Sequence, residues 1–298
     1  MQELYSLQSG EGIQGKTTPV QNLQKSLDST TGLFVYLLYF ITEVARYAEK
    51  DAKHRASKNL PSAEDRNVNI KISGNELLWR ILENESFKKE ISSRKPGFTD
   101  TPEQAKKIYN DLAATDIYKK YIQQQGRDRK DEKDIIVYIF TSLMLPNENF
   151  IQHIEEYFNN WDDDAEMMDQ LMMNYLNKPA AYSLQQMIGE EKWKFAKDLL
   201  NTTIDKQEYV TELIKPKLKN WDSDRIAALD MILMQMGVCE FLYFETIPPK
   251  VTINEYIDIA KDYSTPQSGQ FVNGILDSIH KELLLQNKIH KTDFKQKS

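Results

Sequence analysis

Apolar positions recur at three- and four-residue intervals along most of this 298-residue chain, the spacing that gathers them on one face of an α-helix. From Asp28 the series Leu33, Tyr36, Leu37, Phe40, Val44 and Tyr47 predicts a long helix. Its stretch 33–41 is too apolar to stand exposed and too short to cross a bilayer. Further helices are predicted over 75–92, 102–124, 130–143, 147–158 and 162–177, and a second helical block begins at Tyr209. Leu4 and Leu7 share helical spacing at the start, and residues 9–19 read as a loop. Val68, Ile70 and Ile72 alternate with polar residues, but this short extended piece has no partner, and a strand needs one. The predicted class is all-α.

Helix starts are marked by capping chemistry. Ser62 and Asp65 have capping-box spacing, and Thr101-Pro102-Glu103 places proline at a first helical position behind a threonine cap. Asn220-Trp221-Asp222-Ser223-Asp224 caps the helix carrying Ile226, Leu229, Ile232, Leu233 and Met236. It echoes Asn160-Trp161-Asp162-Asp163-Asp164, and shared capping chemistry accounts for the echo more simply than a duplicated unit. Pro216 is placed near a helix bend. Thr265 and Pro266 are predicted to open the last helix, whose stripe is Phe271, Ile275, Ile279 and Leu283. The polar first turn of that helix, Gln267 to Gln270, offers backbone N–H groups to a phosphate, and Phe271 is either a ring for stacking on a base or the first core residue. Spacing alone favours the core.

Composition narrows the chemistry. With 40% hydrophobic and 28% charged residues the chain is globular, and few glycines and prolines fit long helices. The net charge of −7, taken alone, argues against nucleic-acid binding. The charge is uneven, however: residues 206–298 carry 12 basic and 13 acidic side chains, and the rest 26 and 32. Lys215, Lys217 and Lys219 alternate before Trp221, and the tail carries Lys288, His290, Lys291, Lys295 and Lys297. Cys239 is the only cysteine, so no internal disulfide forms, which fits a reducing cytoplasm; within an apolar helical run it reads as a buried filler. His54, His153, His280 and His290 are scattered without metal-ligand spacing, and Asp162-Asp163-Asp164 with Glu166 lacks the pattern of a calcium loop. There is no glycine-rich phosphate loop and no nucleophile elbow, so neither a catalytic residue nor a cofactor is expected.

One set of motifs goes further. Gln2-Glu3-Leu4-Tyr5, Phe195-Ala196-Lys197-Asp198-Leu199-Leu200, Asn220-Trp221-Asp222 with Arg225-Ile226, Glu240-Phe241-Leu242, Ile247-Pro248-Pro249-Lys250-Val251, Ile253-Asn254-Glu255 and Phe271-Val272-Asn273-Gly274-Ile275-Leu276-Asp277 occur in order. Together they resemble the NusB family of bacterial transcription antitermination factors. The resemblance implies a NusB-like helical bundle without an active site. It implies cytoplasmic binding of the boxA element of ribosomal RNA transcripts together with the ribosomal protein NusE, and through them an indirect link to the RNA polymerase elongation complex. It also implies an RNA surface formed by Tyr5, Asp230, Gln267, Gln270 and Phe271. In this reading residues 1–8 are the first helix of the NusB-like domain, 9–190 an inserted helical region, 191–285 the core and 286–298 a basic tail expected to be flexible. The insertion is expected to pack as a helical bundle against the core, as in a long form of the family. The family's arginine-rich segment is absent, so Met1 is expected to be an internal methionine. The core is expected to contain Phe195, Leu199, Ile226, Leu229, Leu233, Val251, Ile257 and Ile275.

Two alternatives remain at this stage. One is a helical protein-interaction scaffold with little RNA affinity. The other is an RNA methyltransferase, which would need a nucleotide-cofactor domain that no segment of the chain supplies.

Overall fold

A computed structural model describes residues 1–10, 17–179, 183–184, 187–218 and 226–292. Every regular element among them is helical, in agreement with the periodicity. The helices are α1 (Gln2–Gln8), α2 (Pro19–Ala56), α3 (Ala63–Arg66), α4 (Glu76–Glu83), α5 (Glu85–Arg94), α6 (Thr101–Ala114), α7 (Asp116–Gln123) and α8 (Arg129–Tyr138). They continue as α9 (Glu148–Tyr157), α10 (Trp161–Asn177), α11 (Glu190–Asp205), α12 (Gln207–Ile214), α13 (Ala228–Tyr243), α14 (Pro249–Tyr263) and α15 (Ser268–Leu285). The chain divides into two compact units. The first is Met1–Lys25 with Glu190–Ser298, and the second is Ser26–Gly189.

Two predicted helices are each split by a side-chain cap. Asn84 Oδ1 accepts from the backbone N–H groups of Ser86 (2.9 Å) and Phe87 (3.2 Å), which ends α4 and starts α5. Thr115 Oγ1 does the same for Tyr118 N at 3.2 Å between α6 and α7. Apolar periodicity runs across both breaks, and only the capping residue marks them. The isolated Val68–Ile72 alternation forms no strand; Lys71–Gly74 is a 3-10 turn that buries Ile72 and leaves Ile70 exposed. At Thr101 the capping position falls one residue earlier, on Asp100, and Pro102 stays in the first turn.

The second unit is built on α2. Residues from Leu33 to Ala48 of this helix are largely buried, which explains a stretch apolar on several faces. Two polar networks lie within that core. Tyr36 OH bonds His153 Nε2 and Thr101 Oγ1 (3.1 Å), and His153 Nδ1 meets Asp100 Oδ2 at 2.7 Å. Glu132 is buried and accepts from Tyr121 OH (2.7 Å), Glu76 N (2.6 Å) and Arg127 Nη1 (2.8 Å). Past Tyr138 the helix α8 widens into a π turn, Ile139–Met144.

In the first unit α13 packs against α14, α15, α11 and α12 and is buried on all sides from Ile232 to Phe241. Leu4 of α1 lies in the same core as Leu199, Leu233 and Ile275, so α1 returns to helices nearly two hundred residues away in sequence. Of the expected core, Leu199, Leu233 and Ile275 are buried, Ile226, Leu229 and Ile257 are half-buried, and Phe195 and Val251 are exposed. Phe195 instead makes an edge contact with Phe244. Register along α14 decides Val251: Thr252, Tyr256 and Ala260 form its inward stripe. Pro216 lies in a 3-10 turn, Lys215–Leu218, that follows α12. The cap expected at Asn220–Asp224 lies outside the described residues.

Cys239 is fully buried, and burial pushes its thiol up to about 11, which makes it an inert filler. Beside it Glu240 accepts from Tyr256 OH (2.6 Å) and Thr252 Oγ1 (2.9 Å). Burial raises the Glu240 carboxyl above its ordinary value of 4.5. The folded state therefore holds this proton to a higher pH than the unfolded chain does. Its contribution is complete below the ordinary value and declines as pH rises from there through the raised folded value. We expect Glu240→Gln to remove that decline, as read from urea unfolding midpoints of both proteins from acidic to neutral pH. Parallel pH profiles for the two proteins would contradict it.

Candidate nucleic-acid interface

Helix α1 is held by Leu4 inside the core and by Gln8, which donates to Gln235 at 3.4 Å. This leaves Tyr5 on the outer side of α1, 45% exposed. The ring lines a cavity of about 590 Å³ with Gln2 and Ser6 of α1, Ala227 to Leu229 at the start of α13, and Tyr263, Ser264 and Thr265 at the end of α14. Tyr263 is 43% exposed, so two phenol rings from distant parts of the chain border one concavity. Motif reading passed over Tyr263. Its signal is an aromatic residue ending an amphipathic helix immediately before the polar turn.

Asp230 lies beside this cavity, one residue beyond Leu229, but it is only 4% exposed. Its Oδ2 accepts from Ser268 Oγ at 2.8 Å, while Oδ1 is buried without a hydrogen-bond partner among the described residues. Ser268 Oγ also accepts from Thr265 N at 3.1 Å. One hydroxyl thus ties the start of α15 to the turn before it and to α13.

The start of α15 differs from expectation. The helix begins at Ser268, with Gln267 at its capping position; Thr265 and Pro266 belong to the preceding turn. The Thr265 hydroxyl meets Ser268 Oγ at 2.8 Å, and Ser268 Oγ accepts from Thr265 N. Ser268 and Gly269 are buried rather than presented outward, and Gln267 and Gln270 are exposed. Gly269 is required by close approach, because a Cβ there would sit 2.9 Å from Lys261 Cγ and 3.5 Å from the Ile257 carbonyl on α14. Phe271 is 7% exposed and belongs to the core with Val272 and Ile275. Of the five residues expected to form the surface, Tyr5, Gln267 and Gln270 are exposed, and Asp230 and Phe271 are buried.

The basic residues that the sequence singles out are largely committed elsewhere, away from the cavity. Lys215 pairs with Glu212 at 2.7 Å and Lys217 with Glu282 at 2.5 Å; Lys219 lies outside the described residues. Lys291 folds back and donates to the carbonyls of Glu240 (2.8 Å) and Phe244 (2.7 Å), satisfying the end of α13. Thr292 N bonds Glu245 O at 3.0 Å, so the tail is strapped to the core at least to this point. Among the described residues no helix is long and apolar enough to cross a membrane.

The family model described as "NusB family" matches residues 148–281. The "Transcription antitermination protein NusB" of Salinibacter ruber is 46% identical over 98 residues, covering 33% of this chain and 61% of that protein. The protein of the same description from Methylacidiphilum infernorum is 47% identical over 83 residues, 28% of this chain and 58% of its own. That of Finegoldia magna is 41% identical over 96 residues, 32% of this chain and 70% of its own. The first two of these relatives are thus matched over about three-fifths of their length. A solved structure of Thermotoga maritima NusB, titled "T. maritima NusB, P3121, Form 2", is 33% identical, covers 33% of this chain and 72% of its own, and has a TM-score of 0.30. With ordered motifs from α1 to α15 and a relative matched at 41% identity over more than two thirds of its length, the chain belongs to the NusB family.

Proposed function

We propose that this protein is a transcription antitermination factor that binds the boxA element of ribosomal RNA transcripts together with NusE, and acts by binding rather than by catalysis. The observation that carries the reading is the concavity bordered by Tyr5 and Tyr263, with the exposed amides of Gln267 and Gln270 in the adjoining turn and helix start. Exposed phenol rings suit stacking on unpaired bases, and amides suit their hydrogen-bonding edges. The name carried by the relatives supports the same role. Asp230 is assigned a positioning part: through Ser268 it holds the start of α15 against α13. Residues 9–190 are read as an insertion into the NusB-like domain.

Titration of a labelled boxA-like single strand, with and without NusE, tests the proposal. Tyr5→Ala is expected to cost roughly 1–3 kcal/mol of RNA affinity. The protein's stability should stay within about 0.5 kcal/mol of the parent, because the ring is exposed. Residues 206–298 carry 12 basic and 13 acidic side chains, so the salt dependence should be shallow. NusE capture with no measurable RNA affinity would instead support the scaffold reading.

A further inference from the structure

The second unit contains a cavity of about 430 Å³ between α4, the first turns of α8 and the end of α10. This lies within the usual size of small-ligand sites, roughly 300–1,000 Å³. Leu77 and Leu176, both buried, supply an apolar lining. Arg80, Arg129, Lys130 and Lys133 supply cations. On α8 Lys130 and Lys133 are one turn apart, as are Arg129 and Lys133, so these three side chains lie close together.

Three carboxylates also line the cavity, and two are already engaged. Glu132 is saturated by Arg127, Tyr121 and the Glu76 N–H. Asp128 caps α8, accepting from Lys130 N (2.8 Å) and Asp131 N (3.3 Å), which also closes the helix end itself to a ligand. The third, Glu76, approaches Arg80 at 3.8 Å, with both side chains about half exposed. Such a pair holds its arginine weakly. Arg129 and Lys130 form no ion pair with any described residue, and Lys133 reaches only the amide oxygen of Asn177, at 3.1 Å. The charge left over at the rim is therefore positive, although the unit as a whole carries more acidic than basic residues.

We propose that this cavity binds a phosphorylated small molecule of about mononucleotide size. Arg129, Lys130 and Lys133 hold the phosphoryl group, and the less polar part of the ligand rests on Leu77 and Leu176. Enclosure by three helices favours a compact ligand over an extended strand. The site is separate from the RNA reading and does not depend on it.

The test is calorimetric titration of the full chain at low salt with ADP, inorganic pyrophosphate and adenosine. ADP and pyrophosphate are expected to bind saturably and adenosine not to bind. Arg129→Glu with Lys130→Glu should weaken ADP binding at least about tenfold. Lys106→Glu with Lys107→Glu, an equal charge change on the exposed side of α6, should leave it unchanged. Because the altered residues are exposed, helical circular dichroism should not change. If the double variant does not fold, Lys133→Gln carries the same test, with weaker ADP binding expected. Three results would each overturn the proposal: no saturable binding of ADP or pyrophosphate, equal weakening by both double variants, or single-stranded RNA displacing ADP at lower phosphate concentration than ADP itself requires.

Discussion

Phe271→Ala is expected to destabilise the first unit by about 3–5 kcal/mol, the usual cost of truncating a buried phenylalanine. The ring sits in the core with Val272 and Ile275 at the start of α15. Amide hydrogen exchange along α15 reads this directly, since the helix belongs to one unit only. Under the proposed function the variant is expected to bind RNA poorly as well, through loss of the helix start. Tyr5→Ala separates the two effects, because it removes an exposed ring and leaves the core intact. Phe271→Leu, which keeps most of the volume, should recover most of the stability, since volume-conserving swaps usually cost less than about 1.5 kcal/mol. If α15 exchanges in Phe271→Ala as it does in the parent, the ring is not a core element and a stacking role regains ground.

Glu132→Ala is expected to be as damaging in the second unit, by about 3–5 kcal/mol, the range for breaking a buried ionic pair by removing one partner. The carboxylate serves three groups at once: the Arg127 guanidinium, the Tyr121 hydroxyl and the first free N–H of α4. Truncation leaves the Tyr121 hydroxyl and the Glu76 N–H without an acceptor, and unmade buried hydrogen bonds cost more than made ones contribute. Glu132→Gln keeps an acceptor oxygen and the side-chain shape, so its cost should be clearly smaller. Urea midpoints for the two variants check the order. Equal midpoints for Glu132→Ala and the parent would mean that the network does not hold α4 to α8.

Much of the fold is legible in the order of residues. Helical periodicity is a local property, set by which side chains meet along 3.6 residues per turn, and it locates α2 and α4 to α10, while α11 lies before the second block, predicted to begin only at Tyr209. The splits at Asn84 and Thr115 are visible only as polar residues inside a continuing apolar pattern, because a cap and a surface position look alike in one dimension. The apolar run of α2 announces burial without naming its neighbours, which come from helices up to Leu176.

The candidate site divides the same way. The ordered motifs single out Tyr5, Asp230, Gln267, Gln270 and Phe271, and α1 does return to α13 despite the long stretch between them. What motif order cannot express is which side of each helix meets its neighbours. Rotation of α14 by one residue separates exposed Val251 from buried Thr252, and the bond from Ser268 to Asp230 turns two polar residues inward. Tertiary packing likewise buries Phe271 and places Tyr263 on the same cavity as Tyr5. By itself the sequence determined helix class, helix positions and family, because those follow from local periodicity and ordered motifs. Only the tertiary structure decided which of those residues face solvent, because burial depends on neighbours contributed by distant parts of the chain.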